Sequence, residues 1–142
     1  MNMTTVNHWY IWDAFSELER AEAESGRPLG IDANDQESML RAYELHVFPW
    51  VQRLRLQSQD ILRTTMAYFL QKPNFTGEEI LANIPDLTMN NPANPRFLFE
   101  WLWQTLYGET PYTAIDTQNC QENNDMMKIN DFSATGQINE GK

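Results

Sequence analysis

The stretch PRFLFEWLWQTLYG, residues 95–108, can form either a strand or a helix, and the choice between them decides the fold class. Aromatic residues at positions 97, 99, 101 and 103 alternate, as they would on one face of a strand. As a helix, the stretch places Arg96, Glu100 and Gln104 in one polar stripe, and nearly every other position is apolar. Asn-Pro before the stretch and a glycine at its end are typical helix boundaries, so they favour the helix.

A helix that is apolar almost all round must be covered on more than one side. Either the other helices of the chain enclose it, or one aromatic edge stays open for a partner or for a second copy. Both can hold, because a core helix can also line a groove. Trp and Tyr are enriched in interface hot spots, which keeps the second possibility open.

Residues 6–25 predict a first helix, with Trp12, Phe15 and Leu18 on one apolar face. Its acidic residues are expected on the solvated face and in the last turn: Asp13, Glu17, Glu19, Glu22 and Glu24. A short helix is predicted after residue 76, where Thr76 and Glu79 have the spacing of a capping box.

A long second helix is predicted between these two. Asn34 and Glu37 have the spacing of a capping box, and an apolar stripe with helical spacing continues to about Gln71. Pro49 lies inside this stripe, where it removes a backbone donor and crowds the carbonyl of Leu45. We therefore expect a kink or a break at Pro49. The predicted fold is all-α: a small bundle of four to five helices over residues 1–108.

Residues 109–142 are acidic and rich in Asn and Gln. Their few apolar side chains cannot offset the entropy of ordering, roughly 1–2 kcal/mol of backbone free energy per residue. We expect a mostly disordered, flexible polar tail. The segment MMKINDF, residues 126–132, is either a short docking motif or part of an unstructured spacer.

The charge balance excludes some partners. Twenty acidic and ten basic residues give a formal charge of −10, which disfavours nucleic acids and anionic membrane surfaces. The N-terminus lacks the features of a signal peptide, and no apolar run approaches the roughly 20 residues that span a bilayer. A single cysteine, Cys120, cannot form an intramolecular disulfide, which fits a reducing compartment. We expect a cytoplasmic protein.

The residues that usually carry catalysis are scarce. His8 and His46 lie in separate predicted helices, and no Glu-x-x-His metal pair occurs. The segment DANDQE, residues 32–37, imitates the start of a calcium loop but lacks its glycine and its closing glutamate. Cys120 has no neighbouring cation to activate it. We therefore expect no enzyme activity, no metal and no cofactor.

These observations favour a non-enzymatic adaptor or assembly chaperone that forms a homodimer and binds a short peptide of a larger partner. The candidate partner-binding residues are Trp50, Arg53, Arg55, Phe99, Trp101, Trp103 and Tyr107. The arginines are expected either to receive an acidic segment or peptide carboxylate, or, in the case of Arg55 and Arg63, to pair with Asp60 at the surface. Two alternatives remain: an enzyme with a site of carboxylates and arginines, and an acidic inhibitor that mimics nucleic acid.

Three segments, together with the Asn/Gln-rich tail, resemble small cyanobacterial proteins, among them the carboxysome shell-assembly chaperones. The segments are HWYIWDAF (8–15), VFPWVQRLRLQ (47–57) and PRFLFEWLW (95–103). The resemblance covers residues 5–108 at most. It implies a chaperone that binds the C-terminal extension of a shell protein, and it assigns no functional residues.

Overall fold

The structure, a computed structural model, describes residues 3–129 and residue 132. The elements follow one another in this order: β1 (Thr4–Val6), α1 (His8–Ser25), α2 (Gln36–Ala42), a π-helical segment (Tyr43–Val47), α3 (Phe48–Arg53), α4 (Leu56–Leu70), α5 (Glu78–Leu81), α6 (Pro95–Tyr107), a 3-10 turn (Tyr112–Ala114) and β2 (Cys120–Glu122). Most of the described chain is therefore helical, as predicted.

The residues 95–108 form a helix rather than a strand, so the interpretation based on the end signals is confirmed. Gly108 is the C-terminal cap of α6, as predicted, and its backbone is right-handed with φ −58°. The first helix is capped at both ends. Asn7 accepts a hydrogen bond from the Trp9 amide (2.9 Å), and Gly26 has φ 73°.

The regular α-helix is interrupted next to Pro49, as predicted. A π-helical segment, Tyr43–Val47, comes directly before α3, which has Pro49 in its first turn, where its missing backbone donor is tolerated. A second interruption, which the sequence did not predict, lies at Leu54 and Arg55, which are extended with ψ of 156° and 152°. The side-chain amide of Gln59 donates to the Leu54 carbonyl at 2.8 Å and satisfies the acceptor that the break exposes.

The all-α prediction is wrong in one respect, because β1 and β2 form a small parallel sheet. Thr4 pairs with Cys120, and Val6 pairs with Glu122. Between α6 and β2 the chain forms the 3-10 turn, so residues 109–129 differ from the disordered tail that we expected. Residues 130–131 and 133–142 of that predicted tail lie outside the described residues.

The DANDQE segment forms a junction between two loops. The Asp32 carboxylate accepts hydrogen bonds from the Asn34 amide and from the Asn90 side chain, which lower the pKa of Asp32. The Asn34 oxygen accepts from the Ala93 amide at 2.7 Å, and α2 begins after Asp35 instead. These groups join the two loops, and the segment's resemblance to a calcium loop is only in sequence.

The core lies where α1, α4 and α6 meet the π-helical segment. Its largest fully buried side chains include Phe15, Tyr43, Leu62, Met66 and Phe99. The Phe15 ring meets both other aromatic rings, Tyr43 at 5.8 Å and Phe99 at 5.1 Å between centroids. The aromatic helix α6 is therefore central to the fold, as its composition required.

Candidate functional site

The helix α6 has one buried face and one open face. Leu98, Phe99, Leu102 and Trp103 are buried. The Phe99 ring packs between Phe15 and Phe75, whose centroids lie 5.1 and 5.2 Å away. Two of the predicted partner-binding residues, Phe99 and Trp103, therefore belong to the core and are almost fully buried.

Trp103 and Tyr107 anchor the end of α6 to the segment that follows it. The Trp103 indole donates to the Thr110 carbonyl at 2.8 Å, and its ring lies 4.7 Å from that of Tyr107. The Tyr107 hydroxyl is buried and has no hydrogen-bond partner among the described residues, and burial raises the pKa of this tyrosine. Of the candidates in α6, Tyr107 is therefore mainly a packing residue as well.

The open face of α6 consists of Phe97 and Trp101, and we call it the Phe97–Trp101 face. Phe97 is 45% exposed and Trp101 is half-buried, with their ring centroids 5.8 Å apart. Leu45 lies in the π-helical segment that contacts α6, and its side chain is 63% exposed. Large apolar side chains grouped at a surface mark an interaction site more often than single ones do. The sequence prediction named Trp101 but missed Phe97.

The polar stripe of α6 holds this face in position. Arg96 donates to the Leu70 carbonyl at the end of α4 and to the carbonyls of Lys72 (2.9 Å) and Phe75 (3.1 Å) in the loop that follows, and it pairs with Glu100 at 2.8 Å. The bond to Leu70 satisfies a carbonyl that the end of α4 leaves without a helical partner. The polar residues of the stripe therefore contribute to the fold, and the aromatic pair does not depend on a partner for its position.

The stripe also connects α6 to α2. Gln36 donates to Gln104 at 3.1 Å, and Tyr43 donates to the Leu98 carbonyl at 2.8 Å, so α2 and α6 run in opposite directions. The helix that carries the Phe97–Trp101 face therefore packs beside α2.

The remaining candidate partner-binding residues are Trp50, Arg53 and Arg55, which lie in or next to α3 and not in α6. Trp50 is half-buried and its ring lies 6.4 Å from that of Phe132, whereas the ring neighbour of Trp101 is Phe97. Arg53 is exposed and Arg55 is half-buried, and neither forms an ion pair with a carboxylate of the described residues. The alternative pairing with Asp60 is made by Arg63 alone, at 3.2 Å.

A cleft of about 650 Å³ lies between α1 and the loops around residues 26–28 and 86–88. The carboxylate of Glu22 accepts hydrogen bonds from the amides of Leu29 (3.2 Å) and Thr88 (2.8 Å), and Glu19 accepts from the Asp86 amide (2.9 Å). Sequence analysis assigned both acids to a solvated face, and for Glu22, which is buried, this is wrong. The carboxylates of Glu19 and Glu22 in the wall of the cleft therefore accept hydrogen bonds from the loops that line it.

Burial affects two groups that were considered for catalysis, His8 and Cys120. His8 is buried, and burial lowers its pKa. Burial and the charge of Asp116 raise the pKa of the Cys120 thiol, which makes it less reactive. Across residues 3–129 and 132, no three His, Cys, Asp or Glu side chains are grouped as they would be to hold a metal.

None of the helices in the described part of the chain is both long and apolar enough to cross a membrane. The chain matches no known protein-family model, and no curated protein or solved structure is similar to it.

Proposed function

We propose that the protein is a non-enzymatic adaptor or assembly chaperone that binds a short peptide segment of a larger partner. The observation that carries the proposal is the Phe97–Trp101 face, an aromatic pair left open on a helix whose opposite face, with Leu98, Phe99, Leu102 and Trp103, is buried. Aromatic side chains offer a large contact area with few rotatable bonds, so they bind at a low entropic cost. The apolar character of this face favours a partner segment with apolar side chains.

The test compares single substitutions in the full chain. A tagged wild-type protein is used to recover a stoichiometric partner, and its affinity is then measured by calorimetry. Replacing Trp101 with Ala is expected to weaken that affinity at least about 30-fold, the effect of losing a hot spot of about 2 kcal/mol. Leu56→Ala is the matched control, because Leu56 is 81% exposed on another element. A partner that binds Trp101→Ala as tightly as wild type would refute the proposal.

The resemblance to carboxysome shell-assembly chaperones suggests the first ligand to test, a peptide from the C-terminal extension of a shell protein. The proposal also includes a homodimer formed through the same open face. Size-exclusion chromatography with light scattering measures this separately from peptide binding. A monomer at high protein concentration would remove the dimer from the proposal and leave the adaptor function to the calorimetric test.

A further inference from the structure

Phe132 is seated on the helical body although it belongs to the segment predicted to be a tail. Its ring stacks on Tyr10 with centroids 4.5 Å apart and planes at 16°, and it lies 6.4 Å from Trp50. The hydroxyl of Ser58 donates to the Phe132 carbonyl at 3.2 Å. Only 5% of Phe132 is exposed. We call the surface formed by Tyr10, Trp50 and Ser58 the Phe132 seat.

The chain that leads to the seat has two parts. Up to residue 125 it is firmly attached: Asn124 bonds the His8 amide (3.0 Å) and the Trp9 indole (3.1 Å), and the Asp125 carbonyl accepts from Asn7 (2.8 Å). Beyond that point the side chains of residues 126–128 are exposed, and their backbone bonds are local. Phe132 can therefore leave its seat without disturbing the attachment at residue 125.

The charge near the seat predicts the chemistry of what binds there. Arg53 and Arg55 follow Trp50 within five positions, and neither forms a salt bridge with a carboxylate of the described residues, although the charge of Arg53 also acts on Glu17. In the sequence, an acidic residue, Asp131, comes directly before Phe132. A segment with an aromatic side chain next to a carboxylate would match both the seat and the two guanidinium groups.

We propose that the Phe132 seat is an exchangeable peptide-docking site, occupied by the chain's own tail until a partner segment displaces it. The partner segment carries an aromatic residue preceded by an acidic one. This inference rests on the proposed function for the existence of a partner, but it uses a surface separate from the Phe97–Trp101 face. It also assigns MMKINDF, residues 126–132, as a docking motif for a site on the same chain rather than as part of an unstructured spacer.

The chain between Asp125 and Phe132 is a tether, and its length determines how the exchange can be measured. Six residues lie between Asp125 and Phe132, so the tether spans seven residue-to-residue steps and reaches at most about 25 Å at 3.3–3.6 Å per residue. A short tether holds its ligand at an effective concentration in the millimolar range. The internal tail therefore competes strongly with an added peptide, and removing the Phe132 ring should reveal the affinity of the empty seat.

The probe is a labelled peptide with the sequence of residues 125–136, DMMKINDFSATG, followed by fluorescence anisotropy. We expect full-length Phe132→Ala protein to bind it at least tenfold more tightly than wild type does. Met127→Ala, at a side chain that is 71% exposed, is the matched control and should bind as weakly as wild type. A Trp50→Ala change in the Phe132→Ala protein should lower the affinity at least tenfold.

Charge recognition is tested in the same assay. Replacing Arg53 and Arg55 with Gln should weaken binding several-fold, and so should a peptide that carries Asn in place of Asp131. Combining the changes in protein and peptide should cost less than the product of the two effects, because they remove the same interaction. Fully multiplicative effects would refute the assigned acidic neighbour.

The outcome that refutes the docking site is a folded Phe132→Ala protein that binds the peptide no better than wild type. If this variant does not fold, wild type is titrated with millimolar peptide by NMR. A shift of the Trp50 indole signal, with Trp101 unchanged, then supports the proposal, and an unchanged Trp50 signal refutes it. If wild type is a dimer and the Phe132→Ala variant is a monomer, the seat binds a second copy of this chain. That result would refute a foreign partner.

The failure of this inference and that of the proposed function are distinguishable. Peptide binding at the seat requires Trp50 and no partner protein, whereas the adaptor test requires Trp101. If the tail peptide binds and no partner is lost on Trp101→Ala, the adaptor surface is wrong and the seat stands. If partner binding depends on Trp101 and the tail peptide does not bind at the seat, the docking site is wrong and the adaptor surface stands.

Discussion

At the scale of single residues, the tightest constraint is the contact between Gly77 and Phe99. A Cβ at Gly77 would lie 2.0 Å from Cε2 of Phe99, and Gly77 also has φ +77°. Gly77→Ala therefore combines overpacking, at about 1–3 kcal/mol, with left-handed strain of about 1–2 kcal/mol. We expect the free energy of unfolding to fall by about 3 kcal/mol, as measured by urea denaturation.

Gly26→Ala provides the control for this prediction. Gly26 has φ +73°, but no atom lies within 4 Å of the Cβ that it would gain. This variant carries the backbone strain alone and should lose about 1 kcal/mol. Equal losses at the two glycines would show that Phe99 moves aside without cost, and that the core around α6 is looser than the structure indicates.

At the scale of elements, α1 contains two buried acids with different roles. Both oxygens of Glu22 accept backbone hydrogen bonds from the loops that line the cleft. Glu22→Gln places an amide donor opposite one of these amides, so we expect a loss of about 2 kcal/mol in the free energy of unfolding. Chemical denaturation at pH 7 measures this loss.

Glu17 provides the contrast in the same helix. One of its oxygens is buried without a hydrogen bond among the described residues, and Arg20 lies 3.6 Å away. Burial raises the pKa of Glu17, while the charge of Arg20 acts in the opposite direction. The ionised form therefore lowers stability as the pH rises through the folded pKa. Glu17→Gln should be neutral or stabilising at pH 7, and a loss as large as that of Glu22→Gln would contradict this account.

The sequence predicted the elements whose ends carry local signals. Asn7 and Gly26 bound α1, and Asn94 with Pro95 begin α6. The break at Leu54 could not be predicted, because it contains neither Pro nor Gly and is supported by the side chain of a residue in the next helix. The three-residue strands are too short for an alternating pattern, and their pairing joins distant parts of the chain.

The candidate site was predicted only in part for a related reason. Periodicity identified α6 as apolar almost all round, but it does not indicate which aromatic side chains face solvent. That is decided by contacts far away in sequence: Phe75 covers Phe99, and α2 lies beside α6. Trp50 was named with Trp101 as one surface, yet its ring neighbour is Phe132, a residue that composition placed in a disordered tail.

At the scale of the whole molecule, the described ends of the chain are joined beside the start of α1. The side chain of Asn7 donates to the Asp125 carbonyl across 118 positions, and β2 pairs with β1. Lys72 in turn forms an ion pair with Glu122 at 3.1 Å, which connects the end of α4 to the same sheet. The fold is thereby closed by polar bonds at one end, close to a histidine that is buried.

This histidine makes the stability of the whole chain dependent on pH. Burial lowers the pKa of His8, opposed by the charges of Glu79 and Glu122. Above the unfolded pKa of about 6.5, His8 is neutral in the folded and in the unfolded state, and its contribution to stability does not change with pH. As the pH falls towards the lower folded pKa, the unfolded state binds the proton first, so the free energy of unfolding decreases. His8→Phe keeps a ring beside Trp9 and Phe69, so it should flatten the decline between pH 6.5 and 5 in urea denaturation. An unchanged slope in this variant would assign the acid sensitivity to other groups.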